Sequence, residues 1–278
     1  MAVASLKKPL TLTAATLGIC LLASGAAHAD RLDDIKSRGS LSCGTLSTNQ
    51  PMGYQDPDTR KIVGFDVDTC EAIAKHMGVK MEHKPISVEA RIPELALGRV
   101  DLVAAALGFS KERAKQIAFS DAHYQIPIKI IVGKTSGLKA IPDLAGKKLS
   151  ATKGSTPEQF ARQVLPTAEV VTYQDSPTAF LALQQGKVQG MAISQLSGVR
   201  YVSETGSEYQ FMDGQLHWEP TAIGVKKGEP ALLAAVNKAL VEMDKSGEMD
   251  AIWNKWFGPT TLYKLTRDKK LTPISTFE

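Results

Sequence analysis

An α/β fold of two lobes is predicted for this chain, and three observations lead to it. Strand-like and helix-like segments alternate from residue 41 to 107, and again from 146 to 195. Two continuous apolar runs, "RVDLVAAAL" (99–107) and "KVQGMAISQ" (187–195), read as parallel strands covered on both faces. The approaches to those runs match: "LALGRVDLVAAAL" and "LQQGKVQGMAISQ" each pass from helix through glycine and a basic residue to valine and strand. This is an echo of one βαβ-built lobe in a second.

The elements follow in order. "LSCGTLS" (41–47) is a first strand, and "MGYQDPDTRKIVGF" (52–65) has the Asp-Pro-Asp chemistry of a surface hairpin. "FDVDTCEAIAKHMG" (65–78) is an amphipathic helix with Val67, Ile73 and Met77 on one side and Gly78 as its stop. "VKMEHKPI" (79–86) alternates as a strand does. "SVEARIPELALG" (87–98) is a short helix with Ser87 as candidate cap. In the second half, "GKKLSATKGSTPEQFARQVL" (146–165) is strand, loop and helix, and "SPTAFLALQQG" (176–186) is a helix ending at Gly186. Two extended segments, "DAHYQIPIKIIVGK" (121–134) and "WEPTAIGVKKGEP" (218–230), flank that half as connecting strands. Helices "PALLAAVNKALVEMDKSG" (230–247) and "EMDAIWNKWFG" (248–258) close the pattern. Two crossings imply that the chain enters a second lobe, leaves it and finishes on the first. The expected division is 30–125 and 219–278 for lobe one and 126–218 for lobe two.

Residues 1–29 are expected to be a cleavable export signal. Lys7 and Lys8 precede an apolar run, and Ala27-His28-Ala29 is an A-x-A cleavage motif. Cys20 would suit a lipid-modified start, but Ile19 before it is bulky. A 43% hydrophobic, 22% charged chain is an ordinary globular balance, which argues against disorder. Without Lys7 and Lys8 the chain carries 31 basic against 29 acidic residues, too even for a nucleic-acid partner. Cys43 and Cys70 fall on the first strand and first helix. A disulfide is open to them, and the reading taken is two small buried thiols.

The stretch "LGFSKERAKQIAFSD" (107–121) leaves the first apolar strand through Gly108 and Ser110 and then places Arg113 at a helix start. Ligands in such sheets bind beyond the carboxyl ends of strands. Arg113 is therefore either a solvated helix residue or a seat for a carboxylate, to which a guanidinium offers two parallel N–H donors. Ser110 is a plausible N-cap. In "KGSTPEQF" (153–160), Ser155 lies in the loop, Thr156 is read as the cap and Pro157 as the first helical residue.

"GFDVDTCEAIAKHMGVK", "ARIPELALGRVDLV", "KERAKQIAFSDAHY", "DLAGKKLSATKGST" and "GEMDAIWNKWFG" follow one another in an order that resembles the polar amino-acid branch of bacterial periplasmic solute-binding proteins, extracellular family 3. The resemblance spans nearly the whole chain after residue 30. It implies a type II periplasmic-binding-protein fold: two lobes, each a mostly parallel sheet flanked by helices, joined by two hinge strands. It implies a monomeric receptor for an ABC importer, exported to the periplasm, that closes on a small carboxylate ligand such as an amino acid and docks on an inner-membrane permease. No cofactor, metal or nucleic acid is implied. The family's carboxylate-pairing arginine maps to Arg113, with backbone N–H donors at Gly108 and Thr156.

Departures from the family pattern concern the ligand's ammonium. Ser194 stands where the family has an aspartate, and Ala106 and Gly108 stand where hydroxyl residues are frequent. Asn49 stands where an aromatic often covers the ligand, leaving Tyr54 as a substitute. Asp175 is the candidate ammonium acceptor in place of Ser194. Arg91 is read evenly as surface cation or ligand contact, and Lys153 as a loop-edge residue. Leu46 and Ser176 replace cations found in acidic amino-acid receptors. The alternative is a cyclohexadienyl-dehydratase-like enzyme on the same fold. No H-E-x-x-H, C-x-x-C or nucleophile elbow supports it, and His76, His83 and His217 are read as surface residues, with His123 nearer the hinge.

Overall fold

The computed structural model describes residues 1–4, 31–206 and 208–278. The expected export signal, with Lys7, Lys8, Cys20 and the Ala27–Ala29 motif, lies outside the described residues except for its first four. In chain order, α1 (Arg31–Arg38) leads into β1 (Ser40–Thr45), followed by a small sheet of β2 (Thr48–Asn49), β3 (Gly53–Gln55) and β4 (Ile62–Val63). Next come α2 (Phe65–His76), β5 (Lys80–Pro85), α3 (Arg91–Ala96), β6 (Leu102–Val103) and the single turn α4 (Lys111–Ala114). A long strand, β7 (Ile117–Gly133), leads to β8 (Lys148–Thr152), α5 (Thr156–Val164), β9 (Glu169–Tyr173), α6 (Ser176–Gln184), β10 (Gly190–Ser194), α7 (Gln195–Glu204) and β11 (Tyr209–Phe211). The return strand β12 (His217–Lys226) precedes α8 (Pro230–Ser246) and α9 (Glu248–Phe257).

The main sheet runs β5-β1-β6-β12-β7-β10-β8-β9, with β11 on β7. Its outer thirds are parallel: β1 pairs β5 and β6, and β8 pairs β9 and β10. Its centre is the antiparallel pair β7 and β12, which runs from His217 opposite Ile128 to Lys226 opposite Ile117 with register shifts between Thr221 and Ala222 and between Ala222 and Gly224. Further along, β7 pairs β10 through Ile128–Ile131. One 17-residue strand thus belongs to both lobes, and its partner β12 returns beside it. Two long extended segments were expected as crossings, and this is why they are needed.

Burial follows the patterns that suggested each element. All but the first residue of β1 are buried, as a parallel strand covered on both faces requires. Phe65, Cys70 and Ile73 turn α2 onto that strand. Trp253 and Phe257, four apart on α9, close over Phe65 with ring centroids 5.8 and 5.3 Å away. The C-terminal helices therefore finish on the core of β1 and α2, while a separate core forms around Ile128, Leu149, Ala161 and Ala192. Because β1 and α2 pack face to face, Cys43 and Cys70 come within 6.4 Å at Cα and form a disulfide. This corrects the reading of two buried thiols.

Candidate functional site

A small cavity, partly open to solvent, lies where the two outer parts of the sheet face each other across β7 and β12. The hinge strands supply its floor through Tyr124, Glu219 and Thr221. Lobe one contributes Leu46, Asn49, Arg91 and Ala106, and the second lobe Ser155, Thr156, Ser176 and Ser194. Glu219 and Thr221 are two apart on a strand, so both project to the same side. Asn49 is buried, and its Oδ1 has no hydrogen-bond partner among the described residues. A buried acceptor left unpaired is unusual enough to mark a position where a ligand donor fits.

Two arginines of lobe one reach towards the second lobe. Arg113 follows Ser110, whose Oγ accepts from the Arg113 backbone N–H at 3.3 Å, so the expected cap is formed. The Arg113 guanidinium is 8% exposed and not solvated. Its Nη1 donates to Gly108 O and to Thr156 Oγ, both at 2.6 Å, and its Nη2 to Gly154 O at 2.9 Å. Arg91, 3% exposed, donates to Val88 O, Ala105 O and Ala106 O, each at 2.8 Å, and to Gly154 O at 3.1 Å. Its reading as a surface cation is thereby corrected: the side chain fixes the loop that leaves β6. Both guanidiniums converge on one carbonyl of the opposite lobe. Burial pushes the Arg91 pKa down to about 9, helped by the Arg113 charge, and lowers that of Arg113 as well.

Two buried acidic side chains lie beside these cations, and the sequence reading points to neither. Asp66 is 1% exposed, and its Oδ2 accepts from Ala106 N at 2.8 Å, holding that residue at φ 46°. Burial pushes Asp66 up to about 7, against the pull of the Ala106 N–H and the Arg91 charge. Glu219 is 4% exposed and packs on the backbone of Gly108, where a Cβ would collide with its carboxylate. Burial raises the Glu219 pKa, while the Thr156 hydroxyl and the charges of Arg113 and Arg91 oppose the rise. The sequence did hold a signal for Glu219. An acid two residues before Thr221, inside a run otherwise destined for a paired, buried strand, has no bland explanation.

The second lobe meets the arginines with the start of α5. Its N-cap is Ser155, whose Oγ accepts from Glu158 N at 3.1 Å, and Glu158 returns Oε2 to Gly154 N at 2.8 Å. Thr156 is the first helical residue rather than the cap, which frees its hydroxyl for Arg113. At the rim, Lys153 pairs with Glu89 at 2.7 Å, and Gln159 donates to Glu112 at 2.9 Å.

The remaining expected residues are placed as follows. Ser194 lines the cavity at the end of β10, and its side chain makes no capping bond to α7. Gly108 and Arg113 lie one layer behind the lining, joined to it through Thr156 and Glu219. Asp175 does not line the cavity: it caps α6, its Oδ1 accepting from Thr178 N at 2.9 Å. Tyr54 does not line it either, and stands edge-on to Trp256 at 6.2 Å. His217, expected on a surface loop, is on β12 and stacks on Phe160 at 3.8 Å. Among the described residues no cluster of three or more His, Cys, Asp or Glu is arranged to hold a metal ion.

Comparison with known proteins agrees with this architecture. The sequence profile of bacterial extracellular solute-binding proteins, family 3, matches residues 41–259. The L-cystine-binding protein TcyJ of Escherichia coli strain K12 is 31% identical over 229 residues, covering 82% of this chain and 86% of that protein. The ABC transporter glutamine-binding protein GlnH of Bacillus subtilis strain 168 is 32% identical over 239 residues, covering 84% of this chain and 87% of that protein. Among solved structures, an ancestral arginine-binding protein bound to arginine superposes with a TM-score of 0.75 at 37% identity, over 80% of this chain and 99% of the other. With its two-lobed sheet, its paired hinge strands and this match over most of its length, the chain belongs to the bacterial extracellular solute-binding proteins of family 3.

Proposed function

We propose that this protein is the periplasmic receptor of an ABC importer and that it captures an amino acid between its lobes for delivery to a membrane permease. The observation that carries this reading is the position of Arg113. Its guanidinium is buried at the cleft and bonded to Gly154 O and Thr156 Oγ, which lie across that cleft. Parting the lobes frees those donors. A carboxylate that enters the parted cleft then takes up the donors that Gly154 O and Thr156 Oγ release. Closure then rests on contacts that both lobes make to one ligand. Lobe one is assigned 30–125 and 219–278, and lobe two 126–218, with residues 1–29 as the export signal. Asn49, Arg91, Thr156, Ser155 and Ser194 complete the ligand site, with Gly108 behind Arg113.

The relatives named above are binding proteins, which favours a receptor that releases its ligand unchanged; a monomer is the form proposed for it. The experiment is mass spectrometry of compounds released by denaturing the purified protein, followed by thermal-shift screening with the protein amino acids and cystine. An amino acid that is both released and stabilising is the expected result. Absence of any stabilising amino acid, or turnover of a cyclohexadienyl acid in proportion to protein, would sink the proposal.

A further inference from the structure

Glu219 is a buried carboxylate on the hinge strand β12 that lines the cavity together with Asn49, Thr156 and Ser194. It forms no ion pair among the described residues. The two guanidiniums near it are turned elsewhere, Arg91 to four backbone carbonyls and Arg113 to Gly108 O, Gly154 O and Thr156 Oγ. What it does have is the Thr156 hydroxyl, which accepts from Arg113 and donates its own proton to Glu219. A buried carboxylate without a cation in direct contact is costly, and a partner that brings a cation relieves the cost.

The position matters as much as the charge. In an α-amino acid the nitrogen and the carboxylate are attached to the same carbon. An acceptor for the ammonium must therefore adjoin the donors that seat the carboxylate. Glu219 touches Gly108 and Thr156 and lies beside Arg113. Asp175 is spent on capping α6, and Ser194 carries no charge. A ligand ammonium placed against Glu219 supplies the cation that this buried carboxylate lacks, whereas a carboxylic acid without the amine leaves it unpaired.

We propose that Glu219 receives the α-ammonium of the ligand and so selects zwitterionic amino acids over their desamino counterparts, an inference that rests on reading the cleft as an amino-acid site. The test is titration calorimetry on matched probes: L-glutamine with glutaramic acid, L-arginine with guanidinovaleric acid, and L-cystine with dithiodipropionic acid. For the pair that binds, the wild type should prefer the amino form by about 100-fold or more. Glu219→Gln, with circular dichroism to verify folding, should lose about 100-fold for the amino form and change the desamino form by less than about threefold. Equal wild-type affinity for both members overturns the proposal, and this comparison decides the matter even where the variant misfolds. Tighter amino-acid binding by Glu219→Gln also overturns it, because the carboxylate would then be a competitor for the Arg113 seat. Failure of the amino-acid reading is distinct: no member of any pair binds the wild type, and the role of Glu219 falls with it.

Discussion

The two echoed strands approach the cleft through the same turn and then end in different chemistry. Gly98 and Gly186 sit at φ 68° and 69°, and each donates its N–H to a carbonyl three residues back, Leu95 and Leu183, at 3.0 Å. Three residues on, Asp101 and Gln189 each accept a backbone N–H from the first strand of their own lobe, Ser42 at 2.7 Å and Lys148 at 3.0 Å. The likeness stops where the strands leave the sheet. Beyond β6 the chain turns through Ala106 at positive φ and Gly108 to reach Arg113, whereas β10 passes through Ser194 directly into α7. The approach is a backbone problem with one good answer, so both lobes use it. The exit faces the cleft, where the lobes have different tasks. Lobe one brings the guanidiniums, and the second lobe brings a carbonyl and a helix start.

The largest expected effect breaks this division of labour at its centre. Arg113→Ala should weaken amino-acid binding by about 3–5 kcal/mol, since it leaves a buried carboxylate without its partner. Calorimetry measures the loss while far-UV circular dichroism stays native, and near-unchanged affinity would move the seat elsewhere.

The second test compares equivalent helix starts. The second residue of α2 is the buried Asp66, and that of α5 is Pro157. With a folded pKa of about 7 against an ordinary value near 4, the folded protein keeps a proton on Asp66 that the unfolded chain has lost. Stability from this group is therefore full below about pH 4 and is lost as pH rises through about 7. Asp66→Asn removes the titration. Urea unfolding should show the variant gaining on the wild type by a few kcal/mol between about pH 4 and pH 8. A difference that is flat with pH would mean that Asp66 is ionised throughout.

A third asymmetry is covalent. The Cys43–Cys70 disulfide ties β1 to α2 across a separation of 27 residues, while no cysteine follows Cys70. Replacing both by alanine should cost about 3 kcal/mol. Hydrogen exchange should show the loss of protection concentrated in β1 and α2 and sparing β8 and α5. Equal loss in both lobes would show that they unfold as one unit.

The smallest effect sharpens the likeness itself. Gly98→Ala and Gly186→Ala meet no close contact, so each should cost only the backbone strain of a positive φ, about 1–2 kcal/mol. Thermal unfolding should report nearly equal losses, with amino-acid affinity unchanged. A clear inequality would mean that the echoed turns carry different loads.

What the sequence determined alone was local. Gly98, Gly186 and the apolar runs after them specified two matching α/β units, because a positive φ and a doubly covered strand leave few choices of residue. Ser110 was legible as a cap because capping involves only neighbours, and Arg113 stood out because a cation was expected to follow a strand's carboxyl end. Tertiary structure decided whatever depends on a partner distant in the chain. Cys43 and Cys70 became a disulfide only through the packing of α2 on β1. Arg91 was ambiguous until four carbonyls surrounded it. Asp175 was attractive by spacing, yet its own helix claimed it. Glu219 reached the site because β12 returns beside β7 and Gly108 leaves room for a carboxylate, a match between residues 111 positions apart that no local pattern encodes.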